Sequence, residues 1–145
     1  MFSREVQLPF RPFMKRSLVV AHADYGLLHD FEVGLKQSGF SVHPADSRIA
    51  CIAKMERFKP DLLLIDAYLM RNGCDGLSSA ILRICDLTKI PVLLLARGEA
   101  SANDDEIVRQ FSVAEILVAP FSMSKVSELC LERIEEKWAN IAAKN

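Results

Sequence analysis

The sequence has little of what marks disordered, membrane-spanning or exported chains. Six Gly and six Pro in 145 residues are too few for a low-complexity or fibrous chain. The longest apolar runs, Leu62–Ile65 and Ile90–Ala96, are far shorter than the roughly 20 residues that a membrane helix needs. Arg4, Arg11 and Lys15 interrupt the apolar positions of the N-terminus, which therefore lacks the apolar core of a signal peptide. We expect one soluble, cytoplasmic domain.

The chain also lacks an excess of one charge and a pattern of paired cysteines. Lys and Arg total 18 against 19 for Asp and Glu, so no overall field attracts nucleic acid or an anionic membrane, and we expect neither as a partner. The cysteines show no C-x-x-C pair and no His at zinc-ligand spacing, which argues against a structural metal site. We expect buried or half-buried free thiols at Cys51, Cys74, Cys85 and Cys130.

Short apolar runs alternate with segments of helical periodicity along the whole chain. The five predicted strands are Ser17–His22, Phe40–Pro44, Asp61–Asp66, Ile90–Ala96 and Glu115–Ala119. The third and fourth have continuous apolar interiors, which is typical of strands covered on both faces by helices. Regular alternation of strand and helix favours parallel pairing with right-handed crossovers. The sequence therefore predicts a three-layer α/β sandwich.

Five helices are predicted in this alternation. Asp24 is expected to cap the first helix and Gly39 to end it. Asp46 is expected to cap the second, which ends before Pro60. The fourth begins at residue 104 or 105, and the fifth near residue 122 or 124. The residues expected on buried helix faces are, in the first helix, Leu27, Leu28, Phe31 and Leu35; in the second, Ile49, Ile52, Ala53 and Met55 or Phe58; in the third, Leu77, Ile81, Leu82 and Cys85; in the fourth, Ile107, Val108 and Phe111; and in the fifth, Val126, Leu129, Cys130, Ile134, Trp138 and Ile141.

The carboxyl ends of the strands are the expected place for function, because ligands bind there in open parallel sheets. The residues that follow or end the strands are Ala21, His22, Asp66, Ala96, Arg97, Ala119 and Pro120.

Several segments in this order resemble the receiver domain of bacterial two-component response regulators. These are Pro60–Asp66 (PDLLLID), Asp75–Leu77 (DGL), Ile90–Leu95 (IPVLLL) and Ala119–Ser122 (APFS). The resemblance extends over about residues 15–138 and implies a doubly wound, flavodoxin-like fold with a five-stranded parallel sheet in the order 2-1-3-4-5 and five helices. We expect residues 17–142 to form this receiver-like domain and residues 1–16 a flexible N-terminal extension.

The resemblance implies a phosphoacceptor at Asp66. In the family, two acids hold Mg²⁺ beside this carboxylate, a lysine follows strand five, and a Thr or Ser ending strand four acts together with an aromatic residue on strand five. Here the positions that align with the two acids, the Thr or Ser, the lysine and the aromatic are Ala21, His22, Ala96, Ala119 and Ile116. We therefore expect no Mg²⁺ cofactor, since Asp66 alone is retained. The loop after it also departs from the family, with Met70 where a proline is expected and Tyr68 at the position whose carbonyl binds the metal.

Alternatives remain open for the charged residues of this region. Asp66 either accepts a phosphoryl group or is left from an ancestral site, capping a loop or pairing with Arg97. His22 either joins Asp66 in holding a divalent metal softer than Mg²⁺ or is a hydrogen-bonded histidine at the strand end. Asp24 either substitutes for a missing acid or caps the first helix.

The sequence thus predicts an atypical receiver-like signalling domain of a two-component phosphorelay. We expect it to act by contact with a protein, either a sensor kinase or a downstream effector, with no enzymatic activity and no need for phosphorylation. The chain ends soon after the fifth helix, so its output is expected to be a protein surface. We also expect the face formed by the fourth helix, fifth strand and fifth helix to make a contact, either in a homodimer or with a protein partner.

The residues leave two alternatives to this function. One is a conventional regulator that accepts phosphate at Asp66 from a sensor histidine kinase. The other is a small flavodoxin-like enzyme or nucleotide binder, which the turn at residues 21–26 disfavours because it has no G-x-G-x-x-G pattern.

Overall fold

The computed structural model describes residues 16–71, 76–97 and 115–144, and these form a single parallel sheet with helices on both faces. The strands are β1 (Ser17–Ala21), β2 (Ser41–Ala45), β3 (Leu62–Asp66), β4 (Val92–Ala96) and β5 (Glu115–Val118). The helices are α1 (Tyr25–Gln37), α2 (Arg48–Phe58), α3 (Ala67–Arg71), α4 (Leu77–Thr88) and α5 (Met123–Lys144). All neighbouring strands are parallel and their order is β2-β1-β3-β4-β5, so the predicted architecture and strand order are confirmed.

The central strands separate two apolar cores. Because side chains of a strand alternate between its faces, Leu62 and Leu64 of β3 belong to one core and Leu63 and Ile65 to the other. The first core contains apolar residues of α1 and α5, and the second contains residues of α2, α3 and α4. The uninterrupted apolar interior of β3 therefore reflects burial on both faces, as predicted.

Helix α1 begins and ends as the sequence predicts. The Asp24 side chain accepts a hydrogen bond from the Leu27 amide, and Gly39 adopts φ +99° directly after the helix. Leu28, Phe31 and Leu35 are buried, whereas Leu27, expected on the same face, is 37% exposed. Leu27 directly precedes Leu28, which lies on the buried face, so it stands about 100° away around the helix and only borders the core.

The predicted cap of α2 is wrong. Ser47, not Asp46, is the N-cap, and its side chain accepts the Ala50 amide at 3.1 Å. Asp46 instead accepts a hydrogen bond from the Tyr25 hydroxyl at 2.9 Å. Ser and Asp are almost equally good caps, so two adjacent candidates cannot be separated by residue type alone. The helix ends, as expected, just before Pro60.

The predicted buried face of α2 is also partly wrong. Cys51 and Met55 are buried, while Ile49 is 68% exposed and Ala53 is exposed. Cys51 and Met55 are four positions apart, and so are Ile49 and Ala53. The helical period therefore allows either pair to face the sheet. The orientation is set by packing against β1, β2 and α4. In the observed orientation of α2, the large apolar side chain of Ile49 lies on the outer surface.

Helix α3 occupies the segment after Asp66 in which the sequence indicated only a loop that departs from the family. It follows directly from Asp66, and Met70 within it is buried. Two tertiary hydrogen bonds hold the segment: Arg48 of α2 donates to the Leu69 carbonyl at 3.1 Å, and Ser78 of α4 donates to the Met70 carbonyl at 2.7 Å. The helix is thus fixed by neighbours that are distant from it in sequence.

Helix α5 is the longest in the described part of the chain. Ser122 accepts the Lys125 amide at 3.1 Å, which caps the first turn. The expected face is buried except at its end, where Ile141 is 39% exposed because the helix extends beyond the sheet. The buried residues of this face are Val126, Leu129, Cys130, Ile134 and Trp138. Arg16 contacts α5, with its guanidinium 3.2 Å from Glu135 and 5.2 Å from the Trp138 ring centroid.

Strand β2 forms one edge of the sheet. Its Ser41 amide donates to the Arg16 carbonyl and its Ala45 carbonyl accepts from the His22 amide, so these residues direct their backbone polar groups towards β1. Alternation along the strand places the backbone groups of Val42 and Pro44 on the outer side. Pro44 has no N–H, so this edge lacks a donor there.

Some predictions fall outside the described residues. These are the N-terminal extension apart from Arg16, the helix at residue 104 or 105, Cys74 and Asp75. The other three cysteines are free and buried, as expected, and burial raises the pKa of each thiol to about 12. None of the helices in residues 16–71, 76–97 and 115–144 has the length and apolar content required to cross a membrane.

Candidate functional site

The carboxyl ends of three adjacent strands bring predicted site residues together. Ala21 of β1 lies beside Ile65 of β3 in the sheet register, and Asp66 lies beside Leu95 of β4. The residues that end or follow these strands surround a cavity of about 370 Å³, lined by His22, Ala23, Asp24, Asp66, Tyr68 and Arg97. The residues considered from the sequence therefore share one cavity, namely His22, Asp24, Asp66, Tyr68 and Arg97.

His22 is held in one orientation and one tautomer. Its ring is 4% exposed, and its backbone amide donates to the Ala45 carbonyl at 3.0 Å. The Asp24 amide donates to Nδ1 of the imidazole, also at 3.0 Å. An Nδ1 atom that accepts a hydrogen bond carries no proton, so the neutral ring has its proton on Nε2.

The protonated nitrogen of His22 is directed towards Asp66. Nε2 lies 3.8 Å from Oδ1 of Asp66, which is longer than a hydrogen bond, so the two groups interact electrostatically across a short gap. The Asp66 residue is 4% exposed. The predicted phosphoacceptor is therefore a buried carboxyl group beside an imidazole N–H.

Burial keeps His22 neutral at pH 7. Desolvation lowers the pKa of the imidazole below 6.5, and the positive charge of Arg97 lowers it further. Asp66 and Asp24 act in the opposite direction but have smaller effects than desolvation. Where the family has two acids, this chain thus has the methyl group of Ala21 and an uncharged hydrogen-bond donor.

Two aromatic side chains pack in a row beside the His22 imidazole. Neither was expected at the site from the sequence. Phe31 of α1 stacks on His22 with 6.4 Å between ring centroids and 29° between planes. Phe121 contacts Phe31 in turn at 6.0 Å. Phe31 was predicted as a core residue from periodicity, but no local pattern shows that it contacts His22. The row of rings connects the site to the apolar core.

Asp24 caps α1 and does not replace a missing acid. Its Oδ1 accepts the Leu27 amide at 3.0 Å, and this hydrogen bond lowers the pKa of the carboxyl group. Its own amide is the donor to His22. Of the two alternatives for Asp24, capping is the one that the geometry supports.

Arg97 and Tyr68 lie at the solvent side of the cavity. Arg97 is exposed, and the Tyr68 residue is 59% exposed. Among the described residues, the ion-pair contact of Asp66 is with His22, and the pairing with Arg97 considered from the sequence is not observed. Arg97 nevertheless contributes positive charge to the cavity, as its effect on His22 shows.

The remaining predicted positions carry no polar side chain. The Ala96 carbonyl accepts the Ala119 amide at 2.9 Å, so both alanines contribute backbone contacts where the family has a hydroxyl and a lysine. The Ala119–Pro120 peptide is cis. Ile116 is half-buried and packs against the core formed by α2, α3 and α4.

The residues present do not fit the Mg²⁺ ion that the resemblance implies. Mg²⁺ prefers six oxygen ligands, and Ala21 and His22 provide none from their side chains. A softer metal fits poorly too, because the Asp24 hydrogen bond places the proton on the nitrogen of His22 that faces Asp66. Across the described ranges, no three His, Cys, Asp or Glu side chains are grouped so that they could hold a metal ion.

Comparison with solved structures establishes the fold. The receiver domain protein (CheY-like) from Methanospirillum hungatei JF-1 matches with a TM-score of 0.75 and 18% identity, over 88% of this chain and 99% of that chain. The chain has the receiver-domain fold. The receiver domain protein from Clostridium thermocellum matches with a TM-score of 0.72 and 19% identity, over 84% and 96% of the two chains.

A third example is the chemotaxis response regulator CheY4 of Vibrio cholerae, with a TM-score of 0.66 and 16% identity over 83% of this chain and 99% of that one. No family model and no curated protein matches the sequence. The receiver fold is thus retained at low sequence identity. The resemblance stated from PDLLLID and the other segments is confirmed at the level of the fold.

Proposed function

We propose that this receiver-fold protein is a signalling module that works by contact with a protein and does not require phosphorylation at Asp66. It has no enzymatic activity of its own and acts in the cytoplasm. The observation that carries the proposal is the hydrogen bond from the Asp24 amide to Nδ1 of His22, which turns an N–H towards Asp66 where a receiver needs metal ligands.

The electrostatics of phosphoryl transfer support this proposal. A carboxylate that attacks an anionic phosphate needs nearby positive charge to offset the repulsion, and a metal ion with a lysine normally supplies it. Here the imidazole is neutral at pH 7 and Ala119 replaces the lysine. Arg97 is the cation that lines the described cavity, but it is exposed and therefore screened by solvent.

Intact-mass measurement tests the proposal directly. The purified protein is incubated with a small acyl phosphate and Mg²⁺ beside the Asp66→Asn variant, and we expect no phosphate adduct on either. Thermal melting is expected to be the same with and without Mg²⁺. An adduct on the wild type alone would show that Asp66 is a working phosphoacceptor, which would refute the electrostatic argument for the proposal and favour the conventional phosphorylation-dependent regulator.

The expected homodimer is part of this proposal. On the described part of the predicted face, β5 exposes Val118, which is 43% exposed, and the half-exposed Arg133 of α5 pairs with Glu115 of β5. Sedimentation velocity at increasing concentration measures the association. A single monomeric species at high concentration would rule the homodimer out.

A further inference from the structure

The outer surface of α2 combines an apolar strip with positive charge. The strip consists of residues spaced four positions apart, which therefore lie along one side of the helix: Ile49, Ala53 and Arg57. Ile49 is 68% exposed, and Ala53 and Arg57 are also exposed. Lys54 lies one turn from Arg57 on the side towards β2, and Glu56 flanks the strip on the other side. We call the surface formed by Ile49, Ala53, Lys54 and Arg57 the α2 face.

Positive charges converge where the α2 face meets strand β2. The side chain of His43 in β2 has its pKa lowered first by burial and then by the charges of Lys54, Lys36 and Arg57. Lys36 is neutralised by Glu32 at 2.7 Å. Lys54 and Arg57 form no ion pair with any residue of the described ranges. Two cations of the α2 face are therefore available to a partner.

One of these cations is held in place by an aromatic stack. The Phe58 ring lies 3.7 Å from the His43 ring with 10° between planes, and the Arg57 guanidinium lies 5.1 Å from the Phe58 centroid. A guanidinium in cation–π contact with a ring has less conformational freedom than a free one, so less entropy is lost when it binds an anion. The α2 face thus presents a partly preorganised cation beside an apolar strip.

We propose that the α2 face binds an amphipathic, acidic segment of a protein partner. An apolar side chain of that segment covers Ile49 and Ala53, and its carboxylates lie against Lys54 and Arg57. Charge complementarity selects the acidic character of the segment. The exposed side chain of Ile49 offers an apolar contact beside the two cations. The inference rests on the proposed function in one respect, namely that the output is a protein contact.

A protein segment fits this surface better than nucleic acid does. Two available cations neutralise only two phosphates, and the net charge of the whole chain is −1, so the counterion release that drives nucleic-acid binding is small. Phosphate groups would also leave Ile49 exposed to water.

Titration of the labelled domain with a designed peptide tests the surface. The probe is a helical peptide of about 16 residues with Leu along one side and Glu flanking it, and the control peptide has Lys in place of Glu. We expect saturable chemical-shift changes in residues 49–58 and a rise in the pKa of His43, because bound carboxylates offset its positive neighbours. The Lys peptide is expected to leave both unchanged.

Variants of equal charge change separate this surface from general attraction. The double variant Lys54→Glu/Arg57→Glu is expected to weaken binding by about tenfold or more. The matched control, Arg83→Glu/Lys125→Glu, alters exposed cations of α4 and α5 and is expected to bind as the wild type does. Replacing Ile49 by Ser is expected to weaken binding without changing the fold, since the side chain is exposed.

Several results would overturn the proposal. These are no saturable binding up to about 1 mM peptide, equal weakening by the two double variants, or tighter binding of a short DNA duplex or of anionic phosphatidylserine vesicles to the same residues. The test is separate from that of the proposed function. A phosphate adduct at Asp66 with intact peptide binding would count against the proposed function alone, and absent binding without an adduct would refute the docking surface alone.

Discussion

The neutral imidazole at the strand end makes a specific prediction about stability and pH. His22 is 4% exposed and its pKa is lowered below 6.5, chiefly by burial. The unfolded chain therefore binds more protons at this residue than the folded protein does in the interval between the two pKa values. The contribution of His22 to the free energy of unfolding is fully present above pH 6.5, and it is lost as the pH falls towards the pKa of the folded protein.

The magnitude follows from linkage. A single group contributes at most about 1.4 kcal/mol per pH unit to the slope of the free energy of unfolding. Between pH 6.5 and pH 5, the contribution of His22 is therefore at most about 2 kcal/mol, which is reached when the ring stays neutral at pH 5. His22→Gln removes this contribution while keeping an N–H donor near Asp66.

Urea denaturation of both proteins at a series of pH values measures the effect. The wild type is expected to lose more stability than His22→Gln between pH 7.5 and pH 5. His43 also has a lowered pKa but is present in both proteins, so the difference isolates His22. Parallel curves, or a wild type that gains stability relative to the variant in acid, would refute the argument. A long-range ¹H–¹⁵N spectrum that placed the proton on Nδ1 would contradict its structural basis.

Three further experiments test the packing and the capping. Ser47→Ala is expected to lose about 1 kcal/mol in chemical denaturation because it removes the α2 cap, whereas Asp46→Ala is expected to lose less, and the reverse order would show that Asp46 is the cap. Gly34→Ala places a Cβ 2.6 Å from Cγ of Met123, so we expect a loss of about 1–2 kcal/mol from overpacking that Met123→Ala relieves; additive effects in the double-mutant cycle would exclude this contact as the cause. Ile134→Ala, at 0% exposure, is expected to lower the free energy of unfolding by about 2–5 kcal/mol, and a near-neutral result would mean that α5 is not packed on the sheet.

The architecture could be predicted from sequence because burial leaves a strong local pattern. The continuous apolar run of β3 is typical of a strand covered on both faces. Asp24 is a good capping residue directly before its helix. The orientation of α2 could not be predicted, since Ile49 and Cys51 both fit the helical period. What decides between them is the shape of the surface on which the helix packs, and that surface is assembled from distant parts of the chain.

The sequence was sufficient to predict which residues meet at the site, but not the protonation state or the hydrogen bonds of their side chains. His22 and Asp66 could be placed together because they end neighbouring strands. The tautomer of His22 depends on a hydrogen bond from an amide two residues away, and helix α3 depends on Arg48 and Ser78, which contact it across the tertiary structure. Such contacts leave no signal in residue periodicity. The three-dimensional arrangement was required to argue against a metal at His22.

Strand β2 has a consequence for how the protein behaves at high concentration. An edge strand with a complete row of outward donors and acceptors can pair with the edge of another molecule and start intermolecular sheet growth. Pro44 interrupts that row at the outward register, and the partner strand would lose a hydrogen bond at this point. Pro44 therefore disfavours aggregation along this edge of the described sheet.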